Sequence, residues 1–323
     1  MAKRYDPTEY LYVSARIRAL EGRLLSTEQW NRLVELSDQD EILAAFTDGR
    51  AETARGEACA EAALRAAIST VAESVPDKRL PLFLQYPYDC NNVKALEKCR
   101  RCGADPAELL IDLGSIPVKD LKAALENELL ERLPPHMSTA LLQAREAFEK
   151  TADPREIDFI LDKAAFADMA EAAAPFPFAA ELVTVKAELI DLLMCCRLIR
   201  MRSPDLGRAM LDRAALSQGR FEKQTLLDWY DAGEQALLDG IFGTPYAKIF
   251  DKEASLFQIE KRADDYLMSL VRRARSVIFG AEVPIAYLMA LETEGKNLRI
   301  LLAGKRAGLD STAIKARMRE HYV

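Results

Sequence analysis

The chain has 323 residues and a formal net charge of −7; half of its residues are hydrophobic and 29% are charged. That length supports two or three domains with real cores, and the acidic balance excludes an extended nucleic-acid footprint, which needs clustered Lys and Arg. Gly and Pro number only 14 each, Ala, Leu, Glu, Lys and Arg are abundant, and β-branched runs are scarce, so an all-α fold is expected.

The opening Met1-Ala-Lys-Arg-Tyr-Asp lacks the apolar core of a signal peptide, and no stretch approaches the roughly eighteen apolar residues of a membrane span. A cytoplasmic location without a direct membrane span is expected. Tyr10, Val13, Ile17, Leu20 and Leu24 recur at steps of three and four, which predicts a helix from Tyr10 to Leu24 with one buried stripe. Arg16 and Arg23 share another face, either a solvated one or a docking face for an acidic partner.

Further along, Gly103 supplies a left-handed helix stop, and Asp105-Pro106-Ala107-Glu108 reads as the cap and first turn of a new helix. Asp153-Pro154-Arg155-Glu156 repeats that start signal, and Ser203-Pro204-Asp205 is a weaker version. Leu288, Leu291, Gly295, Leu298 and Leu302 form the stripe of a long helix near the C-terminus. Gly308 with Asp310 or Ser311 ends it and launches a last helix through Ile314 and Met318.

A helix motif recurs three times, about one hundred residues apart, a spacing large enough for a small domain. It runs Asp89-Cys-Asn-Asn92-Val-Lys94, then Asp191-Leu-Leu-Met194-Cys-Cys196, then Glu294-Gly-Lys-Asn297-Leu-Arg299. Ile157-Asp158-(x3)-Asp162 falls on Ile259-Glu260-(x3)-Asp264 at the same step. Leu25-(x4)-Trp30, Ile116-(x4)-Leu121 and Phe221-(x4)-Leu226 mark the openings of the units. Three helical modules are therefore expected, at residues 1–112, 113–217 and 218–323. In each, an acid rides on or beside an apolar stripe, where a carboxylate without partners is expensive. Asp89, Asp191 and Glu294 should each find a donor, an Arg, a Lys or a backbone N–H, where helices or units meet, with Asn92 and Asn297 in the same network.

The remaining constellations are weak in chemistry. Cys99-Arg-Arg-Cys102 sits in the last turn of a helix, where the dipole disfavours a thiolate. His136, His321 and the adjacent Cys195-Cys196 do not complete a tetrahedral zinc site with it. Gly304-Lys305 lacks the preceding glycine of a phosphate loop, and neither of the two histidines lies near an obvious Ser or Cys nucleophile. The three acids could form a catalytic carboxylate cluster, but acid–base work needs unlike environments, and three equivalent positions suggest architecture. No cofactor and no metal are expected.

Tyr10-Leu-Tyr-Val-Ser-Ala-Arg16-Ile-Arg18 with Leu24-Leu25-Ser26, the Tyr88–Lys94 segment, and Phe279-Gly-Ala-Glu282-Val-Pro284-Ile-Ala-Tyr287-Leu-Met-Ala-Leu-Glu292-Thr-Glu294-Gly-Lys-Asn297-Leu-Arg299 with Gly304-Lys305 resemble the C subunit of V/A-type ATP synthases (V-type ATPases), the relative of the d subunit of the eukaryotic vacuolar ATPase. Met194 and Gly295 depart from the usual residues. The resemblance implies three similar helical domains arranged as a funnel around a pseudo-threefold axis. It implies a non-catalytic central-stalk subunit joining the shaft subunits D and F to the K/c protein of the membrane rotor ring, so that torque couples ATP synthesis or hydrolysis to proton or sodium transport. Arg16, Arg23, Lys296, Arg299 and Lys305 are candidate partner contacts, each with an ordinary explanation as a solvated or internally paired cation. The competing readings are a free-standing helical-repeat scaffold for protein binding and an enzyme built on the three acids.

Overall fold

A computed structural model describes residues 5–48, 58–201 and 204–323. It is helical throughout, with no strand among the described residues. The chain divides into two compact units, one made of Met1–Leu80 with Phe257–Val323 and the other of Pro81–Leu256.

The first unit opens with a 3-10 turn, Pro7–Tyr10, capped by Asp6, followed by α1 (Leu11–Glu21), α2 (Thr27–Glu35), α3 (Gln39–Thr47) and α4 (Ala58–Ser74). The expected Tyr10–Leu24 helix is therefore shorter at both ends, although Tyr10, Val13, Ile17 and Leu24 are all buried as the stripe requires. A capping box starts α2: the Ser26 hydroxyl accepts from Gln29 N while the Gln29 side chain accepts from Ser26 N, satisfying two otherwise orphaned donors.

The second unit contains α5 (Leu82–Cys102), α6 (Val118–Glu126), α7 (Pro135–Thr151), α8 (Arg155–Ala173), α9 (Pro177–Met201), α10 (Pro204–Ala214), α11 (Lys223–Ala232) and α12 (Glu234–Ile241). Its α5 ends on Gly103 at φ +69°, the left-handed stop read from the sequence. The helix expected at Asp105-Pro106 is only a 3-10 turn, Ala107–Leu109. The Asp105 carboxylate accepts from Ala107 N, and Asn92 holds the chain at Ile111 immediately afterwards, a tertiary bond that competes with a further helical turn. The Asp153 signal is realised: its carboxylate accepts from Arg155 N at the start of α8. At the weaker third signal α10 begins on Pro204, while Ser203 lies outside the described residues. Val93, Leu121, Met137, Leu141, Ile157 and Leu161 form a core in this unit, each worth about 2 kcal/mol when fully removed from water.

The chain returns to the first unit through α13 (Leu256–Val271), α14 (Glu282–Arg306) and α15 (Ser311–Lys315). Leu298, Leu301 and Leu302 of α14 pack with Trp30, Val34 and Phe46 from the N-terminal segment, which is why the two ends of the chain share one compact body. Gly308 adopts φ +69° and Asp310 caps α15. That helix stops at Lys315, short of Met318, because Asn297 pins the backbone at Arg319. The two-unit division differs from the breaks near 112 and 217 suggested by the repeat. Hydrogen bonds bridge both breaks, since Asp89 accepts from Ser115 and Glu188 accepts from Arg220. Among the described residues no helix is long and apolar enough to cross a membrane.

Candidate structural site built on the repeated acids

Asp89 on α5 is fully buried, and its Oδ2 accepts from Ser115 N at 2.9 Å and from Ser115 Oγ at 2.6 Å, while Oδ1 accepts from Ile116 N at 3.2 Å. Gly114 permits this approach, because a Cβ there would lie 2.1 Å from Asp89 Oδ1. On α9, Asp191 accepts from Leu216 N at 2.7 Å and from Ser217 N at 2.9 Å. The second of these bonds holds Ser217 at φ +53°, a conformation that disfavours a residue with a Cβ unless its surroundings impose it. Glu294 on α14 is buried and accepts from Leu25 N at 2.6 Å.

These bonds have a common order. Asp89 holds the backbone at Ile116, the opening of the second repeat, and Asp191 holds Leu216 and Ser217, just ahead of the third opening at Phe221. Glu294, in the last repeat, holds Leu25, the opening of the first. Thus each acid grips the backbone at or just ahead of the opening of another sequence repeat, and the last grips the first.

Burial pushes the Asp89 and Asp191 carboxyls above the ordinary carboxylate range, and the backbone N–H groups pull part of the way back. Apart from the Ser115 hydroxyl, the donors named here are main-chain amides, which suit anchoring of a loop.

The two asparagines repeat a second device. Asn92 Nδ2 donates to Ile111 O at 2.8 Å while its Oδ1 accepts from Ile111 N at 2.9 Å. Asn297 treats Arg319 in the same way, at 3.0 and 2.8 Å. Each side chain thereby clamps both polar groups of a single distant residue. Met194 occupies the corresponding position of the middle repeat and has no amide with which to do so.

The basic candidates separate into two groups. Arg16, Arg23, Lys296 and Arg299 are exposed; Arg16 donates to Ser74 Oγ at 2.9 Å, and Arg299 lies 4.0 Å from Glu61. Lys305 is instead half-buried and donates to Val34 O at 2.6 Å, near the C-terminal end of α2, where a cation also complements the helix dipole. The structure thus places Lys305 inside the first unit.

Among the described residues four further acids, Glu97, Glu156, Asp168 and Glu188, are buried outside the repeated motif, and three of them hold their partners through several bonds. Asp168 accepts from His136 N and Met137 N and so caps α7 from α8. Glu188 accepts from Arg220 N at 2.6 Å and from the Tyr246 hydroxyl, and a Cβ on Gly219 would collide with it. Glu97 receives Arg145 at 2.6 Å and Arg100 at 2.8 Å. The signal available was the one used for Asp89, an acid among apolar neighbours on a helix, but these three lack the repeat that drew notice. All six cysteines are free thiols; Cys99 is buried and Cys102 exposed in the last turn of α5. Among the described residues no group of three or more His, Cys, Asp or Glu is placed to hold a metal ion.

Residues 13–317 match the ATP synthase (C/AC39) subunit family, and the chain belongs to that family. It is 26% identical over 255 residues to the C subunit of the V-type sodium ATPase of Enterococcus hirae, covering 77% of each chain. It is 23% identical to the C subunit of the A-type ATP synthase of Methanocaldococcus jannaschii, covering 96% of this chain and 86% of the relative. The C subunit of the V-type ATP synthase of Thermus thermophilus is also 23% identical, with 95% and 97% covered.

Proposed function

We propose that this chain is the central-stalk coupling subunit of a rotary V/A-type ATPase. In that reading it connects the D–F shaft to the membrane rotor ring of K/c subunits, so that torque links ATP synthesis or hydrolysis to ion transport. It works as a non-catalytic part of the enzyme complex and is held at the membrane through that complex. Three helical modules, at 1–112, 113–217 and 218–323, form a funnel around a pseudo-threefold axis, with Asp89, Asn92, Asp191, Glu294 and Asn297 as the fasteners of the repeat.

Family membership supports the class of machine. The observation that supports the adaptor role is the order of the acid contacts, in which each module holds the start of the next and Glu294 returns to Leu25. Such a closed order suits a part that transmits load, because each of these contacts fixes a loop to a helix through buried charge-assisted bonds. Arg16, Arg23, Lys296 and Arg299 are exposed cations able to meet acidic partner surfaces. Several modest contacts with ring and shaft acting together suffice for stable seating.

The test is association. Purified chain mixed with a purified D–F complex is expected to co-elute on gel filtration at low salt. Separate elution of two folded components across several salt concentrations refutes the assignment.

A further inference from the structure

The geometry points to a binding site for a compact phosphate-class anion in a cleft of the first unit, between the start of α2 and the C-terminal segment. The cleft has a volume of about 240 Å³, and its walls carry Lys261, Arg272, Lys315 and Arg319 against a single acid, Glu320. The acids that balance three of these cations, Asp265, Glu35 and Asp264, do not line it. Lys261 and Lys315 each direct one ammonium hydrogen to an acid, and an ammonium has three. Donors therefore remain on both for an oxyanion.

Two further features set this cleft apart from an ordinary ion-paired surface. Trp30, which lines it, is 1% exposed, and its indole N–H is a buried donor with no acceptor among the described residues. A donor left in that state is unfavourable; the nitrogen is closed off from solvent, so an oxyanion that accepts from it has to be accompanied by a shift of the Trp30–His321 stack. The His321 ring stacks on Trp30 with centroids 5.5 Å apart and planes 5° from parallel. The second feature is that the guanidinium groups of Arg272 and Arg319 are held in place by His321 O, Arg317 O and Asp264. Cations fixed in this way lose little freedom on meeting a tetrahedral oxyanion. Glu320 is half exposed on its pair with Arg272, so it can swing out as the anion enters.

The probe is pyrophosphate, added to the full chain at low and constant ionic strength. The chain has two tryptophans, so a Trp229→Phe variant leaves Trp30 as the sole reporter. Saturable change in Trp30 emission and a rise in Tm of about 2 °C or more are expected. The double variant Lys261→Gln/Lys315→Gln should weaken binding about tenfold, and Lys150→Gln, on the exposed face of α7, should not change it. Circular dichroism establishes that each variant is folded. If the emission shows no saturable response, if the double variant responds like the native chain, or if a Glu-rich peptide binds where pyrophosphate does not, the proposal is overturned.

Discussion

Replacing Asn92 by Leu removes the clamp that recurs at Asn297. The substitution keeps the branched skeleton of the buried side chain but removes the donor to Ile111 O at 2.8 Å and the acceptor for Ile111 N at 2.9 Å. Two hydrogen bonds disappear, and the two main-chain groups of Ile111 lose their partner. At about 1 kcal/mol for each bond and up to about 1 kcal/mol more for each half-buried group left unpaired, the loss is about 2–4 kcal/mol. For a unit of this size about 3 kcal/mol corresponds to roughly 6–12 °C in Tm. Met194→Leu, at the position where the middle repeat has no amide, conserves volume and should cost under about 1.5 kcal/mol. Urea unfolding followed at 222 nm measures both. An Asn92→Leu variant as stable as Met194→Leu would show that the clamp contributes nothing to stability.

Asn297→Leu should likewise destabilise the chain by about 2–4 kcal/mol and speed amide exchange at Arg319, read by hydrogen exchange; unchanged protection there would contradict the pairing. Gly295 and Gly304 lie on the same helix but should respond oppositely to alanine. A Cβ at Gly295 meets Ala60 Cβ at an ordinary 3.5 Å, whereas one at Gly304 meets Ile314 Cγ1 at 2.7 Å. Thermal melts should show Gly295→Ala stabilising by about 0.5–1 kcal/mol and Gly304→Ala destabilising by about 1–3 kcal/mol; a reversed order would contradict the packing. Burial, reinforced by the Arg272 cation, pushes His321 down to about 4. The fold favours its neutral ring, so that stabilisation is complete above the ordinary histidine value of about 6.5 and is lost as pH falls through the folded value. An NMR titration, with His321→Gln to assign the ring signal, should find it titrating near pH 4, and a midpoint at or above about 6.5 would contradict the burial.

The helical class was legible because composition and the stripes of three and four agree, and Gly103, Asp153 and Gly308 act locally, within a turn of the residue that signals them. Asp89, Asp191 and Glu294 were legible for a different reason: an acid between apolar neighbours needs a donor whatever the fold. Their donors were not legible. Leu25 lies 269 residues from Glu294, and no local pattern encodes which loop will meet which helix. Tertiary bonds also accompany the short turn at Ala107–Leu109 and the early end of α15, since Asn92 and Asn297 each seize the backbone just beyond them. Periodicity also says nothing of which Lys on a helix turns inward, and Lys305, which reaches Val34 O, looks in the sequence like any solvated cation. Nor could the repeat show that the first and last segments share one compact body, because that depends on α14 burying its leucines against α2 and α3.

The most direct test of the proposed adaptor role is a reconstruction of the intact rotary complex containing this chain. Density for the chain is expected on the rotation axis, with the foot of the D–F shaft on one side and the K/c ring on the other. A chain bound away from that axis, or a shaft seated on the ring without it, would rule out the adaptor role.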